Sequence, residues 1–221
     1  MKKLLITIIA FFSFIGISYA GSLGFGVSGS IVNVSADGTE TTGAGTNGTA
    51  NTNSKSVDAL GMTGSFFLDY EMDSGIVLGF SSVPFSADVS SKTHQRTEIA
   101  QGKSGTDATG TVSRKADAEI EFFNTIYIEY PLGSMYAKLG FSQVDVNTKE
   151  NKITSSGTYG NATLDGYTLG LGVNGSLGEY FTKTSLEYTD FEDLALSSST
   201  NNKITADLDV LDFKIAVGKR F

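Results

Sequence analysis

Apolar and polar residues alternate with a period of two along eight separate stretches of the sequence. In the last stretch the apolar residues Leu211, Phe213 and Ile215 alternate with the charged residues Asp212 and Lys214. Successive side chains of a β-strand point to opposite faces, so each stretch is predicted to form a strand with one apolar and one polar face. The eight predicted strands span residues 22–34, 58–70, 76–85, 116–130, 135–146, 162–174, 179–189 and 203–221.

The segments between these strands alternate strictly between long and short. The short segments, residues 71–75, 131–134 and 174–178, contain the glycine, serine, proline or asparagine typical of tight turns. The long segments are polar and lack periodicity, which predicts mobile loops. They span residues 36–56, 86–115, 148–160 and 190–202. This order predicts an all-β, eight-stranded antiparallel up-and-down transmembrane β-barrel, with short periplasmic turns and four long extracellular loops.

A soluble, lipocalin-like barrel would show the same eight strands, but with its apolar face inside. The polar faces here are rich in glycine, serine and charges of both signs, which suit the narrow interior of an eight-stranded barrel. We therefore expect the apolar faces to point outward. The third strand leaves its two faces undecided, and Asn124 interrupts the apolar face of the fourth without an explanation. The charged residues predicted to lie inside are Glu119, Glu121, Glu129, Lys138, Lys183, Glu187, Asp212, Lys214 and Arg220.

Aromatic residues on the apolar faces fall at two levels, as in the aromatic girdles of membrane barrels. One level lies at the ends of strands near the short turns, and the other lies near the long loops. The first group is Tyr70, Tyr130, Tyr180 and Phe221, and the second is Tyr167 and Tyr188.

The N-terminus has the pattern of a secretory signal peptide. Lys2 and Lys3 precede an apolar run over residues 4–17, and the small residues Ser18 and Ala20 occupy positions −3 and −1 of a cleavage site before Gly21. The alternative is a membrane anchor, but a spanning helix needs about 20 apolar residues. Residues 1–20 are therefore predicted to be the signal peptide and residues 21–221 the barrel domain.

Composition excludes several classes of function. The chain carries a net charge of −8, which disfavours binding to nucleic acid, and it has no cysteine for a thiol nucleophile or a thiolate metal site. Its one histidine, His94, lies in a predicted loop without a catalytic signature. We therefore predict that the protein is not an enzyme, and we assign no catalytic, cofactor-binding or metal-binding residue.

The last eleven residues end in Gly218-Lys219-Arg220-Phe221 after four alternating apolar positions. This ending resembles the small eight-stranded outer-membrane β-barrel superfamily. Residues 136–141 and 166–172 resemble strands of its opacity-protein-like and small porin-like members. Val83-Pro84-Phe85 resembles a feature of the third strand in the OmpW-like branch. The resemblance implies a protein of the Gram-negative outer membrane. It also implies outer-membrane lipid as a partner, and assembly through a barrel-assembly machinery that recognises the strand ending in Phe221.

Fold alone does not define what such a barrel does. The first hypothesis is a structural anchor that presents polar loops to an extracellular ligand at the cell surface. The second is a narrow channel for small solutes, including apolar ones that leave sideways. The third, an outer-membrane lipid-modifying enzyme, depends on His94 alone.

Overall fold

The computed structural model describes residues 21–42, 51–88, 94–101, 107–151, 159–198 and 202–221. The predicted signal peptide lies outside these residues. No helix in the described part of the chain is long and apolar enough to cross a membrane. The strands are β1 (Gly21–Thr42), β2 (Asn51–Met72), β3 (Val77–Val83), β4 (Ala87–Asp88), β5 (His94–Gln101), β6 (Asp107–Leu132), β7 (Met135–Asn151), β8 (Ala162–Leu177), β9 (Tyr180–Phe191), β10 (Leu194–Ser197) and β11 (Lys203–Arg220).

Eight of these strands form a closed antiparallel ring in the order β1-β2-β3-β6-β7-β8-β9-β11, with β11 returning to β1. The seam between β1 and β11 ends at Phe221, whose backbone N–H donates to the Leu23 carbonyl at 2.8 Å. The remaining strands extend members of the ring, because β4 and β5 pair with β6, and β10 pairs with β11. The predicted eight-stranded up-and-down barrel is therefore confirmed.

The three short connections form tight turns, as predicted. Each contains a glycine with positive φ, at 80° for Gly75, 73° for Gly133 and 64° for Gly178. A residue with a Cβ rarely adopts this conformation, so glycine allows the chain to reverse within a few residues. We call the end with these turns the lower end of the barrel.

The strands at the opposite, upper end are longer than predicted. β1 and β2 remain paired up to Thr42 and Asn51, so much of the predicted loop 36–56 is strand. The predicted loops 86–115, 148–160 and 190–202 also contain strand residues. Ladder hydrogen bonds join backbone groups whatever the side chains are, and threonine is well accommodated in strands. A strand that has left the membrane needs no lipid-facing apolar residue, so the alternation of the lower part ends before the strand does.

A β-bulge in β6 changes the faces predicted for the fourth strand. Glu121 pairs with Asp145 and Asn124 pairs with Gln143, so β6 has one residue more than β7 between the two pairs. Phe122 has a φ of 51° at this point. An extra residue reverses the inward and outward positions beyond it. The bulge explains why Asn124 interrupts the apolar pattern.

Three predicted orientations are wrong because of the bulge. Ile120 packs against the apolar side chains inside the barrel rather than facing outward. Glu119 and Glu121 pair with outward positions of β7 rather than lining the interior. Glu119 Oε2 lies 2.9 Å from Lys149 Nζ, and this ammonium group holds the pKa of Glu119 below its usual value.

Candidate functional site: the barrel interior

The lower part of the barrel carries a belt of exposed apolar side chains on its outer surface. Phe25 is 56% exposed, Leu169 is 60% exposed and Ile215 is 57% exposed. Water would not tolerate a continuous belt of this kind, whereas lipid solvates it. The outward orientation of the apolar faces is therefore confirmed, and the soluble barrel is excluded. The undecided third strand has Val77, Gly79 and Ser81 inside.

The predicted aromatic girdles are present on the outward face of the strands. Tyr130 and Phe221 at the lower level are exposed, and so is Tyr167 at the upper level. Tyr180 and Tyr188 are exposed as well. Tyr70 lies opposite the outward-facing Leu23, as its place in the alternation predicts, but it is only 7% exposed. A Cβ at Gly21 would overlap the Tyr70 ring, which shows how closely this ring lies on the first residue of β1.

The lower interior contains a layer of buried charged side chains. Lys183 Nζ donates to Asp69 Oδ2 at 2.5 Å and to Glu129 Oε2 at 2.6 Å. β9 therefore contacts β2 and β6 across the lumen. The charged layer consists of Asp69, Glu129, Lys138, Lys183, Glu187, Asp212 and Lys214.

Glu187 is the second centre of the charged layer. Its carboxylate accepts hydrogen bonds from Lys138 at 2.9 Å, from Lys214 at 3.0 Å and from the Ser185 hydroxyl at 2.9 Å. Lys214 Nζ also lies 3.1 Å from Asp212 Oδ2. Buried ions need such partners, because an unpaired charge in this position is strongly destabilising. The layer therefore joins strands around the ring into one electrostatic network.

Two tyrosine rings fill much of the space around these charges. Tyr127 donates to Asp69, and Lys138 Nζ lies 4.0 Å from the centre of the Tyr127 ring. The Tyr136 ring lies over Gly172, where a Cβ would overlap it. A cavity of about 20 Å³ remains beside the charged layer, which is room for about one water molecule. The lower interior is thus a plug and not an open pore.

A chain of buried hydroxyl groups lies next to the plug. Thr125 and Ser142 share a hydrogen bond of 2.9 Å, Ser142 and Thr168 share one of 2.6 Å, and Thr168 and Thr189 share one of 2.7 Å. Four neighbouring strands contribute these residues, so the chain runs along the inner wall. Each hydroxyl can both donate and accept, which satisfies these buried polar groups without water.

The interior becomes apolar above the hydroxyl chain. Leu211 of β11 faces lipid, but Val210 and Leu208 of the same strand are each only 5% exposed inside the barrel. The same change occurs along β8, where Tyr167 is outside and Leu164 is inside. The upper apolar core consists of Val144, Val146, Leu164, Phe191, Leu194, Leu208 and Val210, and Val32 and Val34 pack against it.

The polarity of the wall therefore reverses along the barrel axis. In the belt, apolar residues face lipid and polar residues face inward. Above the belt the outward positions include Asp207 and Asp209, and the apolar residues face inward. Water surrounds this upper part, so the interior is where apolar side chains gain from burial.

The ladder of the wall is interrupted near the level where its polarity reverses, and we call this interruption the gap. The ladder between β2 and β3 ends at the pair Phe66 and Ser82. Pro84 follows β3, and its lack of an N–H prevents it from donating to the ladder. Among the strands that the structure describes, β4 and β5 pair with β6, and none pairs with β2 above Phe66 on this side.

Gly61 marks the inner side of the gap. Gly61 pairs with the inward-facing Val32, yet it is exposed. A Cβ at Gly61 would have one neighbour within 4 Å, Val32 Cγ2 at 3.8 Å. On the outer side Met62 is 86% exposed and Leu60 is 78% exposed. Along this unpaired edge of β2, positions on both the inner and the outer face are therefore exposed.

Most of the predicted interior charges occur where the sequence placed them. Glu129, Lys138, Lys183, Glu187 and Asp212 are buried inside. Lys214 also belongs to this network, while Arg220 pairs with Glu71 near the lower opening. The upper apolar core was missed, although the change of apolar residues from odd to even positions between Ile31 and Val32 signals it.

The chemistry of an enzyme or a metal site has no support in the described residues. The backbone of His94 begins β5, but its side chain lies outside what the structure describes. No cluster of three or more histidine, aspartate or glutamate side chains in the described ranges could hold a metal ion. The expectation that the protein is not an enzyme stays a prediction.

No protein-family model matches the chain, and no curated protein is similar to it in sequence. Solved structures are similar in fold. The crystal structure of the outer membrane protein OprG from Pseudomonas aeruginosa matches over 91% of this chain and 97% of its own, with 16% identity and a TM-score of 0.52. The structure of Ail, the attachment invasion locus protein of Yersinia pestis, matches over 88% and 99%, with 11% identity and a TM-score of 0.40.

The closed ring, the lipid-facing belt and the similarity in fold to OprG define the class of the protein. It is a small outer-membrane β-barrel. Its place in the outer membrane follows from this class and from the belt. Because the sequence identity is low, the structural similarity establishes the fold alone. The role of the protein has to be argued from the interior of the barrel.

Proposed function

We propose that the protein takes apolar molecules into the space beside Val32 and Gly61 and releases them sideways into the membrane. One observation carries the proposal. The interior becomes apolar at the level where the ladder between β2 and β3 ends, so an apolar surface leads from the interior to the lipid. This is the sideways form of the channel hypothesis.

The plug supports a sideways exit over a straight passage to the periplasm. A molecule moving downward would have to separate Lys183 from Asp69 and Glu129, and Glu187 from two lysines. Separating buried, paired charges is costly, and an apolar molecule offers them no replacement partner. A molecule that leaves through the gap would instead pass Gly61, Met62 and Leu60, none of which is charged.

Two glycines allow a matched test of the gap. Gly61→Leu adds a side chain at the inner margin of the gap, whereas Gly29→Leu adds the same side chain on the lipid-facing surface of β1. A Cβ at Gly29 meets nothing within 4 Å, so both positions have room for it. The readout is the rate at which N-phenyl-1-naphthylamine, a dye that fluoresces in apolar surroundings, enters the outer membrane of cells.

We expect cells with the wild-type protein to take up the dye faster than cells without it, and Gly61→Leu to remove this difference. Gly29→Leu should behave like the wild type at equal amounts of folded barrel. Uptake that is independent of the protein, or unchanged by Gly61→Leu, would show that the gap does not conduct apolar molecules.

A second function, presentation of loops at the cell surface, is favoured by the length of the upper strands. Paired strand continues from the last lipid-facing residue of β1, Ile31, to Thr42. Eleven residues at about 3.3 Å each give roughly 35 Å of strand beyond the belt. Replacing residues 43–50 with a glycine-serine linker should abolish binding to a glycan array if this part of the chain recognises polysaccharide, and dye uptake should not change.

A further inference from the structure

A side-chain contact spans the upper interior of the barrel and joins distant strands. Tyr159 lies just before β8, and its hydroxyl donates to Glu40 Oε1 of β1 at 3.0 Å. In the ring, β1 and β8 are separated by β9 and β11, so they lie three places apart in a circle of eight. Their side chains therefore meet over the lumen rather than along the wall.

The short segment that contains Tyr159 is held at its base by β7. The Thr148 hydroxyl lies 3.3 Å from the carbonyl oxygens of Tyr159 and Gly160. The Thr148 backbone N–H also donates to Asn161 Oδ1 at 3.2 Å. The segment is thus fixed on the β7 side and reaches β1 through a side-chain contact.

The upper apolar core lies below this segment. Glu40 occupies an inward position of β1, and Ala36 and Val34 on the same face pack against the core. Ala162, which directly follows the segment, also packs against it. The Tyr159 side chain therefore reaches Glu40 on the side of the upper apolar core away from the lower turns.

We propose that Tyr159–Asn161 is a lid that controls entry of apolar molecules from outside, a role that rests on the function proposed above. The Tyr159–Glu40 contact is partly exposed, so water can replace it, whereas the Thr148 contacts keep the base in place. Opening then exposes the route along Ala36 and Val34 toward the gap.

Lid opening can be measured without any transport, because the natural chain has no cysteine. Ala36→Cys places a thiol below the lid, and Asp37→Cys places one on the exposed outer face of β1. A charged, water-soluble maleimide should label Ala36→Cys slowly and Asp37→Cys rapidly. Adding Tyr159→Phe, which removes one hydrogen bond, should accelerate labelling of Ala36→Cys roughly fivefold and leave Asp37→Cys unchanged.

Locking the lid tests its effect on the apolar dye. In the double variant Glu40→Cys and Tyr159→Cys, a bis-maleimide with a reducible spacer should slow uptake of N-phenyl-1-naphthylamine, and a reductant should restore it. Equal labelling of Ala36→Cys with and without Tyr159→Phe would overturn the lid. Faster labelling together with no dye uptake by the wild-type protein would support the lid and overturn the proposed function.

Discussion

Lys183 Nζ lies 2.6 Å from Glu129 Oε2, although the two residues belong to strands three places apart in the ring. Ladder hydrogen bonds cannot join β6 to β9 because β7 and β8 lie between them. The contact therefore fixes the two walls of the barrel relative to each other through the interior. Lys183 adds a third strand, since it also contacts Asp69 of β2.

Replacing Lys183 should destabilise the barrel strongly. Lys183→Met keeps much of the volume but leaves Asp69 and Glu129 buried without this ammonium group, at a cost of about 3–5 kcal/mol. Urea unfolding in lipid vesicles, followed by the shift in gel mobility between folded and boiled protein, measures the change. The control is Lys219→Met, which removes an exposed pair with Glu179 and should cost at most about 1 kcal/mol. Equal losses in the two variants would show that burial does not strengthen the Lys183 contacts.

The plug should also prevent ion conduction. The cavity beside the charged layer has room for about one water molecule, and the side chains around it are held by hydrogen bonds and ion pairs. Purified protein in a planar bilayer should therefore give no steady single-channel current, even when the gel shift shows that it is folded. Reproducible current steps would mean that the charged layer rearranges and that a polar route exists.

Gly79 should be intolerant of a methyl group, because a Cβ there would overlap the Tyr127 ring. Gly79→Ala is expected to displace this ring from Asp69 and to destabilise the barrel by about 1–3 kcal/mol. Gly29→Ala is the matched control, since its Cβ would meet nothing within 4 Å. It should be neutral or stabilise the strand slightly, by up to about 1 kcal/mol. The same unfolding assay compares the two, and equal stability would indicate that Tyr127 moves without cost.

The sequence predicts the lower half of the barrel well because one rule applies to every strand there. Lipid outside and a narrow polar interior impose a strict alternation, which is visible from Leu211 to Val217. The charges of the plug follow from this alternation, since Lys183 and Glu187 occupy inward positions. The alternation does not predict which charges pair with each other, because contacts such as Lys183–Glu129 depend on distances across the lumen.

Two features made the upper half harder to predict: a β-bulge in one strand, and the change from lipid to water around the barrel. The bulge at Phe122 reverses the orientation of Ile120 and Glu119, and one extra residue leaves no clear mark in an alternating pattern. Water replaces lipid above Ile31 and Leu211, so apolar residues move to the other face of the same strand. A pattern that changes face within one strand looks like the end of the strand.

Asp207 lies above the belt and should make stability depend on pH. A hydrogen bond with Asp193 and the negative charge of that residue raise the pKa of Asp207. The folded state thus keeps this proton to higher pH than the unfolded chain, whose aspartates titrate near about 3.9. Stability is therefore lost as the pH rises from the unfolded pKa through the higher folded pKa. Asp207→Asn should be more stable than the wild type at neutral pH, and the difference should shrink below about pH 4.

Thermal unfolding at several pH values, followed by the gel shift, tests this expectation. Asp73→Asn, in the short turn at the lower end, controls for the change in net charge. If Asp207→Asn raised thermal stability equally at all pH values, or if Asp73→Asn raised it by the same amount, the role of the Asp193 contact would be contradicted.

The upper strands should contribute to stability as a packed core, and Leu208 tests this. Leu208 is 5% exposed in the upper apolar core, whereas Thr205 on the same strand faces water. Leu208→Ala removes buried methyl groups and should cost about 2–5 kcal/mol, while Thr205→Ala should change stability by less than about 0.5 kcal/mol. Urea unfolding in vesicles measures both.

If the upper strands were loosely attached to the membrane barrel, they would open before the rest unfolds, and Leu208→Ala would change global stability as little as Thr205→Ala does. A large loss of stability for Leu208→Ala would instead mean that the apolar interior above the belt unfolds together with the charged plug at the level of the belt.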